Sequence, residues 1–402
     1  MFRDKSLSPS IRLSLASIAL ALFGQTALAA NPEFEAFYQQ ACNNAPTGSN
    51  FESRCTTESA NLSGDSESSL TPSHMLSAGD AALLSDQSDQ KLSSSQLTKV
   101  GPLSISVQIG AGEIKSDNRD GTNGERAYTT DTEQLALTFD YRHDDELVSG
   151  VVLSLQRSDL EFEALQPQGA FPAQSRAGRY ESEALNLTGF VSYADAGGLF
   201  IDSAIGYGDI DHDFERNGVF QPGSRASHIR VNTSAEVGGD FQMLQLRAGR
   251  HYTSGRATFN PQVSYQYSRT KTDSYSEDDD NNSGLAMRYK AYTQTSSLLS
   301  AGADTQLPFT TDWGVLSLQA SLNYFREFDR EDERLKAGFV SDTSGSVFEI
   351  KGEDPDQSYF QASLSTVLQF SHGWSAYFRY AQWFGNSEYD QYQSVIGVRK
   401  EI

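Results

Sequence analysis

The sequence predicts an all-β fold: a twelve-stranded antiparallel transmembrane β-barrel preceded by a short N-terminal helical or lumenal segment. Three observations lead to this prediction. Apolar and polar residues alternate with a period of two in about twelve segments of residues 101–402. Residues 1–29 have the pattern of an export signal. The connections between the alternating segments are long and short in turn, which is typical of an outer-membrane barrel.

The export signal determines which solvent the apolar faces meet. Arg3, Lys5 and Arg12 form a basic start, residues 13–23 are largely apolar, and residues 27–29 read Ala-Leu-Ala, a small-residue cleavage site. The mature chain is expected to begin at Ala30. No later segment has the ~18 apolar residues that a spanning helix needs. A membrane-spanning form of this chain must therefore cross with β-strands, and we expect it in the outer membrane of a Gram-negative cell.

Composition narrows the choice of partners more than the choice of fold. The 402 residues include 23 Phe and 18 Tyr, which fits one large β domain with aromatic belts or two soluble domains. The net charge of −22 and the absence of a Lys/Arg cluster argue against nucleic acid as a partner. Cys42 and Cys55 are the only cysteines. In an exported chain they are expected to form a disulfide, since a zinc site would need further ligands.

The mature N-terminal region, residues 30–73, is predicted to be a short disulfide-containing segment and linker. A helix is expected to begin at Pro32 and to end near Asn43, because apolar residues fall on one helical face at positions 34, 37, 38 and 41. Residues 56–73 are rich in Ser, Thr and acidic residues and are typical of a linker. Residues 74–100 have a partly helical apolar pattern, although Gly79 interrupts it.

From Gly101 onward the period-two pattern predicts strands that are apolar on one face and polar on the other. Arg247 and Arg399 fall in the polar, inward phase of their strands. Pro261 would remove a hydrogen-bond donor from its strand, but the apolar residues that follow it stay in phase. The predicted strands are 104–111, 134–141, 147–155, 185–193, 199–207, 244–248, 257–267, one within 286–307, 316–324, 360–370, 374–384 and 392–402.

Loop lengths give an independent test of the barrel. An outer-membrane barrel has short periplasmic turns and long extracellular loops. Alternate connections are long, except for the last, and the acidic runs at 277–280 and 329–333 fall in them. The long set is 117–131, 162–181, 213–240, 272–285, 329–355 and 385–388. The short set is 143–145, 195–197, 253–255, 309–311 and 371–373.

Several segments resemble the C-terminal translocator β-domain of autotransporters, the type V secretion family. They are residues 259–261 with 265 and 274–277, then 313–316, 324–328, 348–350, 354–356 and 397–402. The resemblance implies a twelve-stranded barrel over residues 101–402 with a helix in its lumen, which would be residues 74–100. It also implies that Gly397, Arg399 and Ile402 form the C-terminal signal that the barrel-assembly machinery recognises, after delivery by periplasmic chaperones.

The chain departs from the family in ending in Ile402 instead of Phe. It also departs in having only about seventy mature residues before Gly101, so that we expect a minimal passenger or none.

Candidate chemistry is sparse. Gly64-Asp65-Ser66 resembles the start of a GDSL esterase block, but Glu67 follows and no Asp-x-x-His occurs nearby. Residues 278–282 open like a calcium loop, but Ser283 stands where glycine is needed and Tyr289 where the bidentate glutamate should be. No metal cluster is predicted from the five scattered histidines of the barrel region, which are His143, His212, His228, His251 and His372.

Aromatic residues near strand ends have two interpretations. They could form the girdle that marks the two membrane interfaces, or they could form a platform for sugar binding. The girdle is the more economical interpretation, because every outer-membrane barrel needs one. The residues concerned are Tyr207, Tyr252, Phe328, Tyr377 and Trp383.

We therefore expect a monomeric, non-enzymatic barrel without cofactor or metal, surrounded by outer-membrane lipid and lipopolysaccharide. Two functions remain open. The barrel could translocate or display its own short N-terminal segment, or it could be a plugged surface barrel that acts as a narrow pore or as an adhesion protein through its acidic loops. The location of the Cys42–Cys55 segment distinguishes the two.

Overall fold

The computed structural model describes residues 32–55, 61–62, 101–116, 128–162, 178–221, 227–332, 335–350, 357–386 and 389–402. The predicted signal peptide and the predicted lumenal helix at 74–100 lie outside these residues. The helix expected from Pro32 is present as α1, Pro32–Asn43, and is followed by a 3₁₀ turn at Glu52–Arg54. Within the described residues no helix combines the length and the apolar character needed to cross a membrane.

Twelve antiparallel strands form a closed barrel, as the sequence predicts. Each strand pairs with the next along the chain, and the last pairs with the first between Tyr389↔Ser116 and Glu401↔Ser104. The strands are β1 Leu103–Ser116, β2 Tyr128–Arg142, β3 Leu147–Phe162, β4 Gly178–Ala194, β5 Leu199–Gln221, β6 Ile229–Arg250, β7 Ala257–Thr272, β8 Tyr292–Thr311, β9 Gly314–Asp332, β10 Ser358–Phe370, β11 Trp374–Phe384 and β12 Tyr389–Glu401. Pro261 lies within β7, opposite Ala303 of β8.

The barrel has apolar side chains on its outer surface and polar side chains inside, which is the reverse of a soluble protein. Leu364 on β10 points outward and is 65% exposed, whereas Gln361 on the same strand points inward and is 3% exposed. Outward apolar side chains recur on every strand, and the lumen wall is rich in buried amides and hydroxyls. Such a surface is stable in lipid, where a closed barrel also satisfies every backbone hydrogen-bonding group. Buried inward amides include Gln108, Gln134, Gln156, Asn186, Gln266 and Asn323.

The two ends of the barrel differ as predicted, but the boundaries of one loop and one turn were wrong. The connections 143–146, 195–198, 251–256, 312–313 and 371–373 are short and define the turn end, and the other connections define the loop end. The expected loop 213–240 is mostly strand, because β5 runs to Gln221 and β6 begins at Ile229. The outward side chains of their distal halves include exposed carboxylates such as Asp213, and the apolar residues that signal a membrane strand are therefore missing there. The turn predicted at 309–311 likewise lies at 312–313, because β8 continues to Thr311.

The predicted aromatic girdle is only partly correct. Tyr207, Tyr252 and Phe328 are exposed on the outer surface. Trp383 is buried in the lumen, and the Tyr377 hydroxyl donates a hydrogen bond to Gln108 Oε1 at 2.7 Å. β11 has aromatic residues on both faces, so apolar character alone does not show which of its residues face the lumen. The five residues therefore do not share a surface that could serve as one sugar platform.

The closing strand β12 is held by contacts at the turn end. Ile402 N donates to Leu103 O at 2.8 Å, and Arg399 Nη2 donates to Ser104 Oγ and Asp140 Oδ1 at 2.8 and 3.2 Å. Gly397 lies under the Tyr377 ring, where an added Cβ would come within 2.2 Å of ring atoms. These contacts give Gly397, Arg399 and Ile402 a role in closing the barrel. Their recognition by the assembly machinery stays a prediction.

A matched pair of arginine substitutions tests the barrel's orientation in lipid. Leu364→Arg should destabilise the folded barrel by roughly 2–4 kcal/mol, because the charge would enter the apolar layer. Ser321→Arg should have a much smaller effect, since Ser321 faces the lumen and bonds Ser363. Urea unfolding of the protein refolded into lipid bilayers, followed by the heat-modifiable gel shift, measures both. Equal destabilisation by the two substitutions would contradict the assigned faces.

Candidate functional site

The described N-terminal residues 32–55, here called the cap, form a compact unit closed by the predicted disulfide. Cys42 and Cys55 are bonded, with their Cα atoms 5.4 Å apart. The Tyr38 hydroxyl donates to Arg54 O at 2.5 Å, and Glu52 Oε2 accepts from Gly48 N at 2.5 Å. The disulfide and these hydrogen bonds hold α1 against the 3₁₀ turn, which lets a segment of this size keep a defined shape.

Above the loop end of the barrel lies a small four-stranded sheet, here called the loop sheet. It is built from two long connections, 273–291 and 333–357. Met287 pairs with Phe339, and Ala337 pairs with Phe348. Its strands are Tyr275–Ser276, Met287–Tyr289, Leu335–Phe339 and Phe348–Ile350, in that order in space.

The cap packs on one face of the loop sheet through an aromatic core. Phe339 is central: its ring lies 5.1 Å from the Phe37 ring and 4.8 Å from the Phe51 ring, centre to centre. Phe37 also stacks on Phe348 at 5.6 Å, and Tyr38 is fully buried. Aromatic pairs of this kind contribute about 0.5–1.5 kcal/mol each beyond the burial of their surface. The cap and the loop sheet thus share a single hydrophobic core.

Polar contacts at the margin of this core fix the orientation of the cap. Arg54 Nε donates to Ser283 O at 3.0 Å, and Asn50 Nδ2 donates to Asn282 O at 3.4 Å. On the other side, Thr343 Oγ1 donates to Asn44 O at 3.3 Å. Both long connections therefore hold the cap, which makes its position specific.

A buried ion pair connects the loop sheet to the barrel wall. Glu277, 8% exposed, accepts hydrogen bonds from Arg216 Nε at 2.8 Å and from Met287 N at 2.8 Å. Arg216 belongs to β5, and its Nη2 also donates to Leu285 O at 3.1 Å. Burial, together with the neighbouring Glu277 carboxylate, raises the pKa of Tyr289 well above its usual value. The Tyr289 phenol therefore stays protonated and donates to Glu277 at 3.3 Å.

The cap and the start of the barrel lie at opposite ends of the molecule. The cap contacts the long connections, and Asn61–Leu62 pairs with Phe220 and Gln221 at the tip of β5. β1 begins at the turn end, where Arg142 N donates to Pro102 O at 2.7 Å. Residues 63–100, outside the described part of the chain, thus join the loop end to the turn end.

The remaining sequence candidates do not assemble into a site. The Asp279 carboxylate of the calcium-like loop accepts hydrogen bonds from Ser283 N and Gly284 N at 2.8 and 2.6 Å, so it caps its own turn. His212 Nδ1 lies 2.7 Å from the Tyr180 hydroxyl, and His251 Nδ1 lies 2.7 Å from Asn260 Oδ1. Among the described residues no group of three His, Cys, Asp or Glu side chains could hold a metal ion. Residues 64–66 lie outside them.

Arg247, the other predicted inward arginine, is buried against Asp202 in the lumen. Its Nε and Nη2 lie 2.9 and 2.8 Å from Asp202 Oδ2, and Ser192 Oγ donates to the second carboxylate oxygen. Arg247 thus lies in the inward phase predicted for its strand and pairs with a carboxylate of the lumen wall.

Sequence reasoning missed the docking residues Met287, Phe339 and Phe348. A signal was available, because residues 335–339 alternate and carry apolar side chains inside an otherwise acidic loop. No local sequence pattern predicts the long-range ion pair between Arg216 and Glu277.

Comparisons with known proteins give one family match and several solved barrels of similar fold. The sequence model of the autotransporter beta-domain family matches residues 108–381 of this chain. The translocator domain of the autotransporter NalP from Neisseria meningitidis superposes with a TM-score of 0.59 at 14% identity, covering 81% of this chain and 98% of that one. The β-domain of the Bordetella autotransporter BrkA superposes with a TM-score of 0.50 at 14% identity, covering 75% and 100%. No curated protein sequence matches the chain.

Glu277→Gln tests the ion pair between the loop sheet and the barrel wall. The substitution leaves the buried Arg216 charge without its carboxylate, a change that costs about 3–5 kcal/mol in comparable buried pairs. The loop sheet should open more often, and limited trypsin digestion after Lys290 should accelerate about 100-fold or more. Glu181→Gln is the control, because its pairs with Arg157 and Arg179 are partly exposed and should matter little. Unchanged digestion of the Glu277 variant would contradict the role of the pair.

Proposed function

Because the chain belongs to the autotransporter β-domain family of the outer membrane, we propose that its barrel carries its own cap across that membrane. The cap then stays on the outer surface, docked on the loop sheet. The observation that supports this most directly is the hydrophobic core that the cap shares with the long connections. The proposed product is a displayed module and not a released one.

The direction of transport follows from the two ends of the barrel. Short turns of outer-membrane barrels face the periplasm and long loops face outward. An exported chain reaches the periplasm first, and β1 begins and β12 ends at the turn end of the barrel. A cap docked at the loop end must therefore have crossed the membrane, since it is made as part of the same chain.

The lumen is the favoured route for the connecting residues. Its wall carries amides, hydroxyls and paired charges, whereas the outer surface is apolar. The largely polar residues 63–100 would meet compatible groups inside and incompatible ones outside. Even as a helix they would reach about 57 Å, at 1.5 Å per residue, which exceeds the ~30 Å apolar layer of a membrane.

No catalytic role is proposed for the barrel or the cap. The described cap residues are used for packing, for the disulfide and for hydrogen bonds to the loops. A module of this kind acts by what it presents, as in adhesion or in masking the loops beneath it. The alternative, a plugged barrel acting through its loops, would place the cap inside the cell envelope.

Labelling of one introduced cysteine on living cells tests the display of the cap, because Cys42 and Cys55 are bonded to each other and do not react. Gln40→Cys on the exposed side of α1 should react with a membrane-impermeant maleimide on intact cells, as should Asp273→Cys in a long connection. Ser254→Cys, in a short turn, should react only after the outer membrane is permeabilised. The label on Gln40→Cys should stay with the barrel on a denaturing gel, because the cap is retained.

Two outcomes would overturn the proposal. If Gln40→Cys behaves like Ser254→Cys, the cap is not displayed and the plugged barrel is favoured. If the label from Gln40→Cys appears in the medium, the cap is released and is not a docked module.

A further inference from the structure

The loop sheet has a second face, opposite the cap, and that face is basic. Side chains alternate along its strands, so Met287 and Tyr289 point to the cap while Arg288 and Lys290 point away. Lys336 on the neighbouring strand is on the same side, because Lys290 N donates to Lys336 O at 3.0 Å. The fold therefore brings three cations together, although Lys336 lies at least 46 residues beyond the other two in the chain.

These cations line an open cleft of about 750 Å³, a size within the range of small-ligand sites. Hydroxyl groups of Ser274, Ser276 and Ser346 also line it. Its floor includes Gly338, where an added Cβ would come within 2.5 Å of Ser346 O, so the close approach of the two segments there requires glycine. The cleft thus combines positive charge with hydrogen-bonding groups, and its walls are part of a folded sheet.

Within the described residues, carboxylates neutralise little of the positive charge of the cleft. In the described part of the chain, neither Arg288 nor Lys290 forms an ion pair. Lys336 lies 3.6 Å from Glu349, but both side chains are nearly half exposed, so the pair is weak. The Asp342 carboxylate nearby accepts hydrogen bonds from Ser344 and from Ser346 N. It is therefore committed to its own turn.

We propose that this cleft binds an anionic saccharide, a sugar chain that carries carboxylate, sulfate or phosphate groups. Lysine and arginine would bind the anionic groups, and the serine hydroxyls and backbone would bind sugar hydroxyls. A nucleic acid fits less well, because Tyr275 and Tyr289 stack with each other on the buried side and offer no ring to a base.

This inference goes beyond display of the cap and does not depend on how the cap reached its position. It requires only a folded loop sheet. The ligand could belong to the lipopolysaccharide of the same membrane or to a free acidic polysaccharide. Both sources present the same chemistry to the cleft, and separate arms of the test distinguish them.

Binding to the purified full chain in detergent tests the proposal. The probes are tetragalacturonate, the uncharged maltotetraose and purified deep-rough lipopolysaccharide, measured by microscale thermophoresis. The triple variant R288Q/K290Q/K336Q should bind the anionic probes at least about tenfold more weakly than the parent. Maltotetraose should bind neither. Tighter binding of tetragalacturonate than of lipopolysaccharide would indicate a free polysaccharide, and the reverse order would indicate the membrane's own lipid.

The control is K115Q/R157Q/K271Q, which changes the net charge equally at partly exposed positions outside the cleft. It should bind as the parent does. The heat-modifiable gel shift and limited chymotrypsin digestion check that both variants keep the barrel and the loop sheet, because the cleft variant lacks the tryptic sites of that sheet. Equal loss in the two triple variants, no binding of any anionic probe by the parent, or tighter binding of a single-stranded oligonucleotide than of both anionic probes would overturn the proposal.

Discussion

The pairing of β12 with β1 is the constraint on which the rest of the structure depends. Lipid cannot satisfy backbone hydrogen bonds, so a sheet in the membrane must close on itself. Closure brings Ile402 next to Leu103 at the turn end. It thereby fixes where the barrel begins, and everything that precedes residue 101 must reach its position from that end. The cap at the loop end is informative only because β1 begins at the turn end.

The cap and the loops stabilise one another. Long loops on an outer-membrane barrel have little apolar surface of their own to bury, and a 24-residue cap has too small a core to fold alone. Phe339 and Met287 supply one half of a shared core, and Phe37 and Phe51 supply the other. The ion pair between Glu277 and Arg216 connects this unit to β5. The loop sheet can therefore present a defined surface on each face.

The sequence was sufficient for the barrel because lipid imposes a strict period of two on the outward residues. It predicted the end of β5 and the start of β6 wrongly. The distal parts of these strands carry outward residues such as Asp213, which are not apolar and so do not follow the pattern. It misassigned Trp383, because β11 is aromatic on both faces. The docking of Phe37 on Phe339 and the gathering of Arg288 with Lys336 depend on contacts between residues far apart in the chain, which no local pattern records. The disulfide was predictable because only two cysteines exist.

Hydrogen exchange measured by mass spectrometry on the full chain, and on a variant that lacks residues 32–55, tests the shared core most directly. Both proteins would be reconstituted in lipid nanodiscs. We expect the amides of Met287–Tyr289 and Leu335–Phe339 to exchange slowly in the full chain and at least about tenfold faster without the cap, while β1 and β12 are unchanged. Identical exchange of the loop sheet in the two proteins would contradict a core shared with the cap.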